Sequence, residues 1–350
     1  MPWVTNAREM QSEVAEGSDV VAGRVAVTGM GTARQCALEL VVAHRADLAD
    51  GVVGLVLEDP AGGPLPEWTA GAHIDLELTD ELVRQYSLCS SPDDRRRWGV
   101  AVLLERDGRG GSRHVHRHLG QGSRIRVGGP RNHFPLQPAR RYQFIAGGIG
   151  ITPIMPMIER AASDGADWHL LYGGRQRSSM AFADVLAGYG DRVTFWPQDE
   201  LGMLDLDSVL AESRDDTLVY CCGPEGLLGA VEQACAHWPA SALHVERFSA
   251  RPDAPAPSEG ALDTFDVVCR KSGITVSIRN GESILEALRD NGINMIASCM
   301  EGICGTCETP VLEGTPDHRD SVLSADEQAE NDYMMICVSR SLSPTLVLDV

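Results

Sequence analysis

The stretch Ser298-Cys299-Met300-Glu301-Gly302-Ile303-Cys304-Gly305-Thr306-Cys307 places three cysteines within nine residues. A fourth cysteine, Cys337, follows after a gap of 29 residues. The order Cys-x4-Cys-x2-Cys, then a distant Cys, is the spacing of a plant-type [2Fe-2S] site. A zinc site or four unrelated buried cysteines are the alternatives, but zinc sites more often contain two Cys-x2-4-Cys pairs. We therefore predict that Cys299, Cys304, Cys307 and Cys337 bind a [2Fe-2S] cluster, which carries one electron at a time.

The residues between these cysteines suit a cluster. Gly302 and Gly305 let the backbone wrap closely around an inorganic core and direct N–H groups at its sulfide. We expect Cys337 to lie on a strand that returns to this loop. Cluster binding would then couple the folding of the last domain to metal loading.

Length and charge limit the class of protein. A chain of 350 residues with 43% hydrophobic residues predicts two or three globular domains. No apolar run approaches the ~18 residues of a membrane span, and no secretory signal precedes the first domain, so we expect a cytoplasmic protein without a membrane partner. A net charge of −20 argues against nucleic acid as a partner. Residues 261–350 carry 15 acidic and 6 basic side chains, which predicts either a solvated surface or a docking face for a basic partner.

The hydrophobic pattern changes twice along the chain. Short apolar segments between turns predict an antiparallel β-barrel, with strands at 38–42, 54–57, 73–78, 86–89, 99–104 and 124–127. From Tyr142 onward strands alternate with helices, which predicts a parallel α/β sheet. A segment with Pro252, Pro255 and Pro257 then reads as a linker, followed by two strands, a helix at 282–291 and the cysteine loop.

These patterns predict a multidomain fold with an antiparallel β-barrel, a parallel α/β domain and an α+β (β-grasp) domain. The predicted division is an N-terminal extension (1–36), the β-barrel (37–137), the parallel α/β domain (138–248), a linker (249–262) and the domain with the four cysteines (263–350).

Two motifs in the barrel region predict a flavin site. The strand Arg84-Gln85-Tyr86-Ser87 offers an arginine for a phosphate, a tyrosine for ring packing and a serine for a ring nitrogen. The loop Gly108-Arg109-Gly110-Gly111-Ser112 offers consecutive N–H groups to an anion, at the start of a stretch that we expect to be helical. A polar edge strand and a flexible turn explain each motif alone. Their order along the chain favours flavin.

A glycine loop between a strand and a helix, Gly147-Gly148-Ile149-Gly150, predicts a nicotinamide site. Such a turn is a weak signal alone, and it gains weight from Cys222-Gly223-Pro224 at the end of a later strand. A small buried core residue is the alternative for Cys222. Arg175 and Arg177 do not decide whether the site binds NADH or NADPH.

Residues 37–350 resemble the phthalate dioxygenase reductase family, which includes vanillate demethylase reductases. The resemblance is carried by the motifs above, by Pro130-Arg131-Asn132-His133-Phe134-Pro135-Leu136 and by Tyr220-Cys221-Cys222-Gly223-Pro224. It implies FMN rather than FAD, and NADH. The flavin-binding residues that it implies are Arg84, Gln85, Tyr86, Ser87, Ala101, Val102, Leu103, Gly110, Gly111 and Ser112. On the nicotinamide side it implies Gly147, Gly148, Gly150, Thr152, Cys222, Gly223, Pro224 and Phe248. A lysine that some relatives carry near Leu103 is absent here.

The resemblance implies a reductase that passes electrons from NADH through FMN and the cluster to a separate Rieske-type oxygenase. Ser87 and Cys222 are our candidates for the residues that tune hydride transfer, through bonding and close packing. A reductase for a cytochrome P450 and a redox carrier or sensor without turnover are the alternatives. Phe248 could lie beside the flavin or close a core.

Overall fold

A computed structural model describes residues 38–79, 82–250 and 260–350. The predicted N-terminal extension (1–36) lies outside these residues, as do the three prolines of the predicted linker. In the described part of the chain no helix has the length and apolar character needed to cross a membrane.

The first module is a six-stranded antiparallel barrel. Its strands are β1 (Leu38–Ala49), β2 (Val52–Glu58), β3 (His73–Thr79), β4 (Leu82–Ser87), β5 (Arg97–Leu103) and β6 (Arg124–Arg131), in the spatial order β4-β3-β6-β1-β2-β5. An antiparallel bridge between Leu88 and Val100 joins the two edge strands and closes the sheet. Helix α1 (Gly111–His118) packs against β4 and β5. Alternate residues of the strands, such as Leu55 and Trp98, fill the interior.

The second module is a five-stranded parallel sheet with helices between its strands, as predicted. The strands are β7 (Arg141–Gly147), β8 (Asp167–Gly174), β9 (Val193–Pro197), β10 (Thr217–Cys222) and β11 (Leu243–Glu246), in the order β11-β10-β7-β8-β9. The helices are α2 (Ile151–Ser163), α3 (Ala183–Ala187), α4 (Gln198–Leu201), α5 (Asp207–Leu210) and α6 (Glu225–Ala234). From β7 the strand order runs to one edge through β8 and β9, and to the other edge through β10 and β11. The switch point between β7 and β10 is the place where open α/β sheets bind ligands.

The barrel and the parallel sheet share one hydrophobic core. Val56 and Phe134 of the barrel side pack in the same cluster as Phe144 and Met157. Tyr220, on β10, donates a hydrogen bond of 3.0 Å to the carbonyl of Pro135. This continuous core holds the barrel and the parallel sheet together.

The third module is a mixed sheet with a helix across it. Its strands are β12 (Phe265–Cys269), β13 (Ile274–Ile278), β14 (Glu308–Glu313), β16 (Tyr333–Met335) and β18 (Thr345–Leu348), in the order β13-β12-β18-β14-β16. A separate pair consists of β15 (Pro316–Asp317) and β17 (Arg340–Ser341). Helix α7 (Ile284–Asp290) begins at a Ser283–Glu286 capping box and ends before Gly292, whose φ is 80°.

The structure corrects three expectations. Cys337 does not lie on a strand but in a turn after β16. Helix α8 (Ala325–Glu330), which starts at a second capping box on Ser324, was not expected. The predicted strand at 86–89 is shifted toward the N-terminus as β4, because its pairing with β3 begins at Leu82 and ends at Ser87.

Candidate functional site

The four cysteines predicted to bind the cluster converge at one end of the third module. All four are buried, and their thiols lie close enough to influence one another, Cys299 with Cys304 and Cys337, and Cys337 with Cys307. The backbone N–H of Glu301 lies 3.3 Å from the sulfur of Cys299. The four sulfurs therefore share one pocket with a backbone donor directed at it.

The chemistry of this pocket fits an iron–sulfur core. The hydrogen bond to Cys299, followed by burial, raises the pKa of the Cys304 thiol well above its ordinary value. Buried thiolates need a compensating positive charge, and a coordinated metal supplies one. In the described part of the chain, no three side chains of His, Cys, Asp or Glu converge on a single-ion position. A two-iron core instead takes two thiolates at each iron.

Arg84 and the start of helix α1 form one end of the predicted flavin site. A Cβ added to Gly111 would lie 2.4 Å from Cγ of Arg84, so the glycine gives the arginine room to pack across the helix start. Arg84 donates to the carbonyl of Arg109, at 3.2 Å. Helix α1 has no side-chain cap and no acidic residue in its first turn, and Gly110 holds its N-cap with φ of 90°. Free N–H groups beside an arginine fit a phosphate monoester such as that of FMN.

The predicted ring-binding residues line two strands that meet at the barrel seam. Tyr86 and Ser87 end β4, whereas Ala101, Val102 and Leu103 end β5. The hydroxyl of Ser112 accepts a hydrogen bond of 3.0 Å from the N–H of Glu105, which ties the glycine loop to the end of β5. The structure thus brings the two flavin motifs to the same end of the barrel.

The glycine loop after β7 packs against the turn after β10. A Cβ on Gly150 would lie 2.2 Å from the carbonyl oxygen of Cys222, and one on Gly147 would lie 2.8 Å from Cδ of Pro224. Gly148, with φ of 54°, has open space where its Cβ would be. Gly147 and Gly150 therefore allow the ends of β7 and β10 to pack closely, whereas Gly148 faces open space. Thr152 is buried and donates to the carbonyl of Ile149, at 2.9 Å.

Glu246 connects the two residues predicted to tune hydride transfer. It lies opposite Cys222 in the pairing of β10 with β11, and its carboxyl oxygen is 4.0 Å from the Cys222 sulfur. Its carboxyl group also shares a hydrogen bond with Ser87 from the barrel. Burial raises the pKa of Glu246 from 4.5 to about 8, with the hydrogen bond to Ser87 opposing the rise. The sequence placed Glu246 only at the end of its domain, because its register opposite Cys222 is set by sheet pairing.

Phe248 is not part of a core. Its side chain is 42% exposed, two residues after Glu246. Arg247 between them is buried and forms ion pairs with Glu225 at 3.1 Å and Glu232 at 2.6 Å. This anchor fixes the chain direction and leaves the aromatic ring of Phe248 free to cover a bound ring system.

The cluster loop lies directly against the flavin barrel, which the sequence did not predict. Gln85 donates a hydrogen bond to the hydroxyl of Ser298. Arg109, from the glycine loop, donates to the carbonyl of Cys299 at 3.1 Å and forms an ion pair with Glu301 at 2.9 Å. The same short segments that are predicted to bind the flavin therefore hold the cluster loop. Fold and site define an oxidoreductase that combines a nicotinamide-binding sheet, a flavin barrel and a plant-type ferredoxin domain.

Comparison with known proteins identifies two of these modules and the family. The 2Fe-2S iron-sulfur cluster binding domain family matches residues 267–342, and the oxidoreductase NAD-binding domain family matches residues 144–233. The phenoxybenzoate dioxygenase subunit beta of Ectopseudomonas oleovorans is 43% identical over 304 residues, covering 86% of this chain and 94% of the relative. The crystal structure of phthalate dioxygenase reductase aligns with a TM-score of 0.65 and 35% identity, over 90% of this chain and 98% of that one. The chain belongs to the phthalate dioxygenase reductase family.

A further solved structure contains this arrangement within a longer chain. An intact type IV self-sufficient cytochrome P450 monooxygenase aligns with a TM-score of 0.86 and 45% identity over 93% of this chain. The present chain corresponds to 43% of the length of that monooxygenase.

Proposed function

We propose that this protein is the NADH-dependent reductase component of a two-component oxygenase. The chain would bind NADH, FMN and a [2Fe-2S] cluster. FMN would supply the exchange between the two electrons of a hydride from NADH and the single electrons that pass through the cluster to a separate Rieske-type oxygenase. The observation that carries the proposal is that one barrel end contacts both Glu246, the neighbour of Cys222 in the parallel sheet, and the cluster loop. Relatives named as a phthalate 4,5-dioxygenase reductase subunit and a vanillate O-demethylase oxidoreductase, both of Pseudomonas putida, support it.

The residues of the chain have separable roles in this proposal. Arg84 and the start of α1 bind the flavin phosphate, and Phe248 covers the ring. Ser87 and Cys222 border the hydride path, with Glu246 between them. The predicted domain boundaries (37–137, 138–248 and 263–350) follow the same division of labour and remain a prediction. We place the protein in the cytoplasm, since the cysteines of its described residues are all free, as expected in a reducing compartment.

Stopped-flow absorbance of the fully loaded protein tests the proposal. We expect NADH to bleach the flavin first, and the cluster absorbance to fall afterwards. A flavin that stays oxidised in the presence of NADH would exclude a reductase and favour a redox carrier or sensor.

A cytochrome P450 is the second candidate for the electron acceptor. The 45% identity to the reductase portion of a self-sufficient P450 monooxygenase favours it. Purified protein should be mixed with NADH and either a Rieske oxygenase or a P450, and reduction of each acceptor followed separately. Faster reduction of the haem protein would move the assignment to the second candidate.

A further inference from the structure

Arg131 forms a nearly buried ion pair within the flavin barrel and reaches the cluster loop through a hydrogen bond to Thr306. Its Nη2 atom lies 2.7 Å from a carboxyl oxygen of Asp75 and 3.1 Å from the hydroxyl of Thr306, between Cys304 and Cys307. The side chains of Arg131 and Asp75 are 13% and 10% exposed. Asp75 also accepts a hydrogen bond from Gln85, which in turn bonds to Ser298. One carboxylate therefore orients two donors that reach opposite ends of the cluster loop.

Two nitrogen atoms of Arg131, Nε and Nη1, are buried and have no hydrogen-bond partner among the described residues. A buried guanidinium with unused N–H groups is costly unless negative charge lies nearby. An anionic centre held by the adjacent thiolates fits this requirement.

His133 and Gly305 fit each other as a second contact. The imidazole of His133 occupies the place where a Cβ on Gly305 would be, with Nε2 only 2.1 Å from that position. The ring of His73 lies beside it, with ring centroids 5.8 Å apart, and near the backbone of Cys304. Gly305 itself has φ of 66°. The loop can therefore lie flat on the two histidines only because residue 305 has no side chain.

We propose that Arg131 and His133 are positioning residues that hold the cluster loop against the flavin barrel and set the rate at which electrons pass from flavin to cluster. The inference deepens the proposed function and rests on its electron route. In each transfer a reduced flavin would lose one electron and an oxidised cluster would gain it. The outside acceptor would take this electron from the cluster before the second transfer, so that two transfers consume the electron pair of one hydride. Neither Arg131 nor His133 changes its oxidation state. The motif that contains both residues thus acts on the second half of the reaction, not on hydride transfer.

The test compares Arg131→Gln, Arg131→Lys and His133→Asn with the wild-type holoenzyme. Hydrogen exchange followed by mass spectrometry measures how tightly peptides containing 298–307 are held, independently of activity. Loss of one charge-assisted hydrogen bond should raise their exchange about tenfold in Arg131→Gln. We expect flavin reduction by NADH to stay within about twofold of wild type, because the contact between the barrel and the cluster loop is not used in that step. Reduction of the cluster by the flavin should slow several-fold, and Arg131→Lys should give an intermediate value.

Arg124→Gln is the matched control, since Arg124 lies on the same strand and pairs with Glu39 within the barrel. It should change neither loop exchange nor cluster reduction. Unchanged loop exchange and cluster reduction in both Arg131→Gln and His133→Asn would overturn the proposal, as would an equal fall in both half-reactions. Should Arg131→Gln not fold, His133→Asn decides alone. Absence of flavin reduction in the wild type would overturn the proposed function, while the exchange data would still report on the contact.

Discussion

At the scale of single residues, Glu246 is the most informative side chain that the sequence left without a role. It lies between a serine of the barrel and a cysteine of the parallel sheet, so it reports on both modules at once. Burial raises its pKa to about 8, so the carboxyl is mainly protonated at neutral pH. Its charge also raises the pKa of the Cys222 thiol, after burial itself. Both groups are therefore neutral where a hydride is expected to pass.

We predict that Glu246→Gln removes a pH dependence from flavin reduction. In the wild type the carboxyl loses its proton as pH rises through about 8, and a negative charge beside the hydride path should slow the step. The neutral amide of glutamine cannot titrate, so the variant should give a flat profile between about pH 7 and 9. Stopped-flow reduction by NADH at constant ionic strength measures this.

Stability gives an independent check on the same residue. An acid whose pKa is higher in the folded than in the unfolded state stabilises the fold less as pH rises from about 4.5 to about 8. Urea unfolding should therefore show that Glu246→Gln gains stability relative to wild type across this range. A constant difference between the two proteins would contradict the raised pKa.

Gly150 yields a second prediction at the residue scale. A methyl group there would lie 2.2 Å from the backbone oxygen of Cys222, which cannot move as a side chain can. We expect Gly150→Ala to cost about 1–3 kcal/mol of unfolding free energy and to raise the KM for NADH. Gly226→Ala is the control, because that helical position has nothing within 4 Å of an added Cβ. Denaturant unfolding and steady-state kinetics of both variants measure the difference.

At the scale of elements, the sequence predicts strands and helices better than their ends. Short apolar segments between turns located the strands of the barrel, with β4 shifted, because these strands bury much of their length. The apolar face of α7 and the glycine after it marked that helix well, with a predicted start two residues early. Cys337 was wrongly placed on a strand, since a metal ligand needs only a fixed backbone and a tight turn provides one. The strand pairing that sets Glu246 opposite Cys222 involves residues far apart in sequence, and no local pattern encodes it.

The start of helix α1 is the element that we expect to decide flavin affinity. Gly111→Ala places a methyl group 2.4 Å from Cγ of Arg84, so the arginine must move away from the helix N-terminus. Since an arginine–phosphate contact is charge-assisted, its displacement should weaken FMN binding about tenfold or more. Fluorescence titration of the flavin-free protein with FMN measures the Kd. Gly120→Ala, just beyond the same helix and with open space around it, should leave the Kd unchanged.

At the scale of the whole molecule, the arrangement of the modules was the least predictable feature. The motifs identified a flavin, a nicotinamide and a cluster site separately, since each motif is local in sequence. The contacts that join these sites depend on how the surfaces of the folded modules meet. One of them is the hydrogen bond between Gln85 and Ser298, which are 213 residues apart in sequence. For this reason no separate role could be predicted from the sequence for Arg109 or Arg131, although both lie within the motifs described above.

Removal of one cluster ligand tests the order of electron flow through the assembled molecule. In Cys304→Ser the thiolate that a cluster iron requires is lost, so cluster content measured by iron and sulfide analysis should fall to near zero. Reduction of the flavin by NADH should persist within about twofold of wild type, because the hydride site is built from β4, β10 and β11. Reduction of cytochrome c should disappear, since the cluster is the outlet for single electrons.

The third module of Cys304→Ser should also unfold at lower urea concentration than that of the wild type, because metal binding energy is folding energy for a site buried in that core. Cys269→Ser, a buried cysteine of the same module away from the loop, controls for the loss of a thiol. Equal loss of flavin and cytochrome c reduction in Cys304→Ser alone would show that the cluster is not downstream of the flavin.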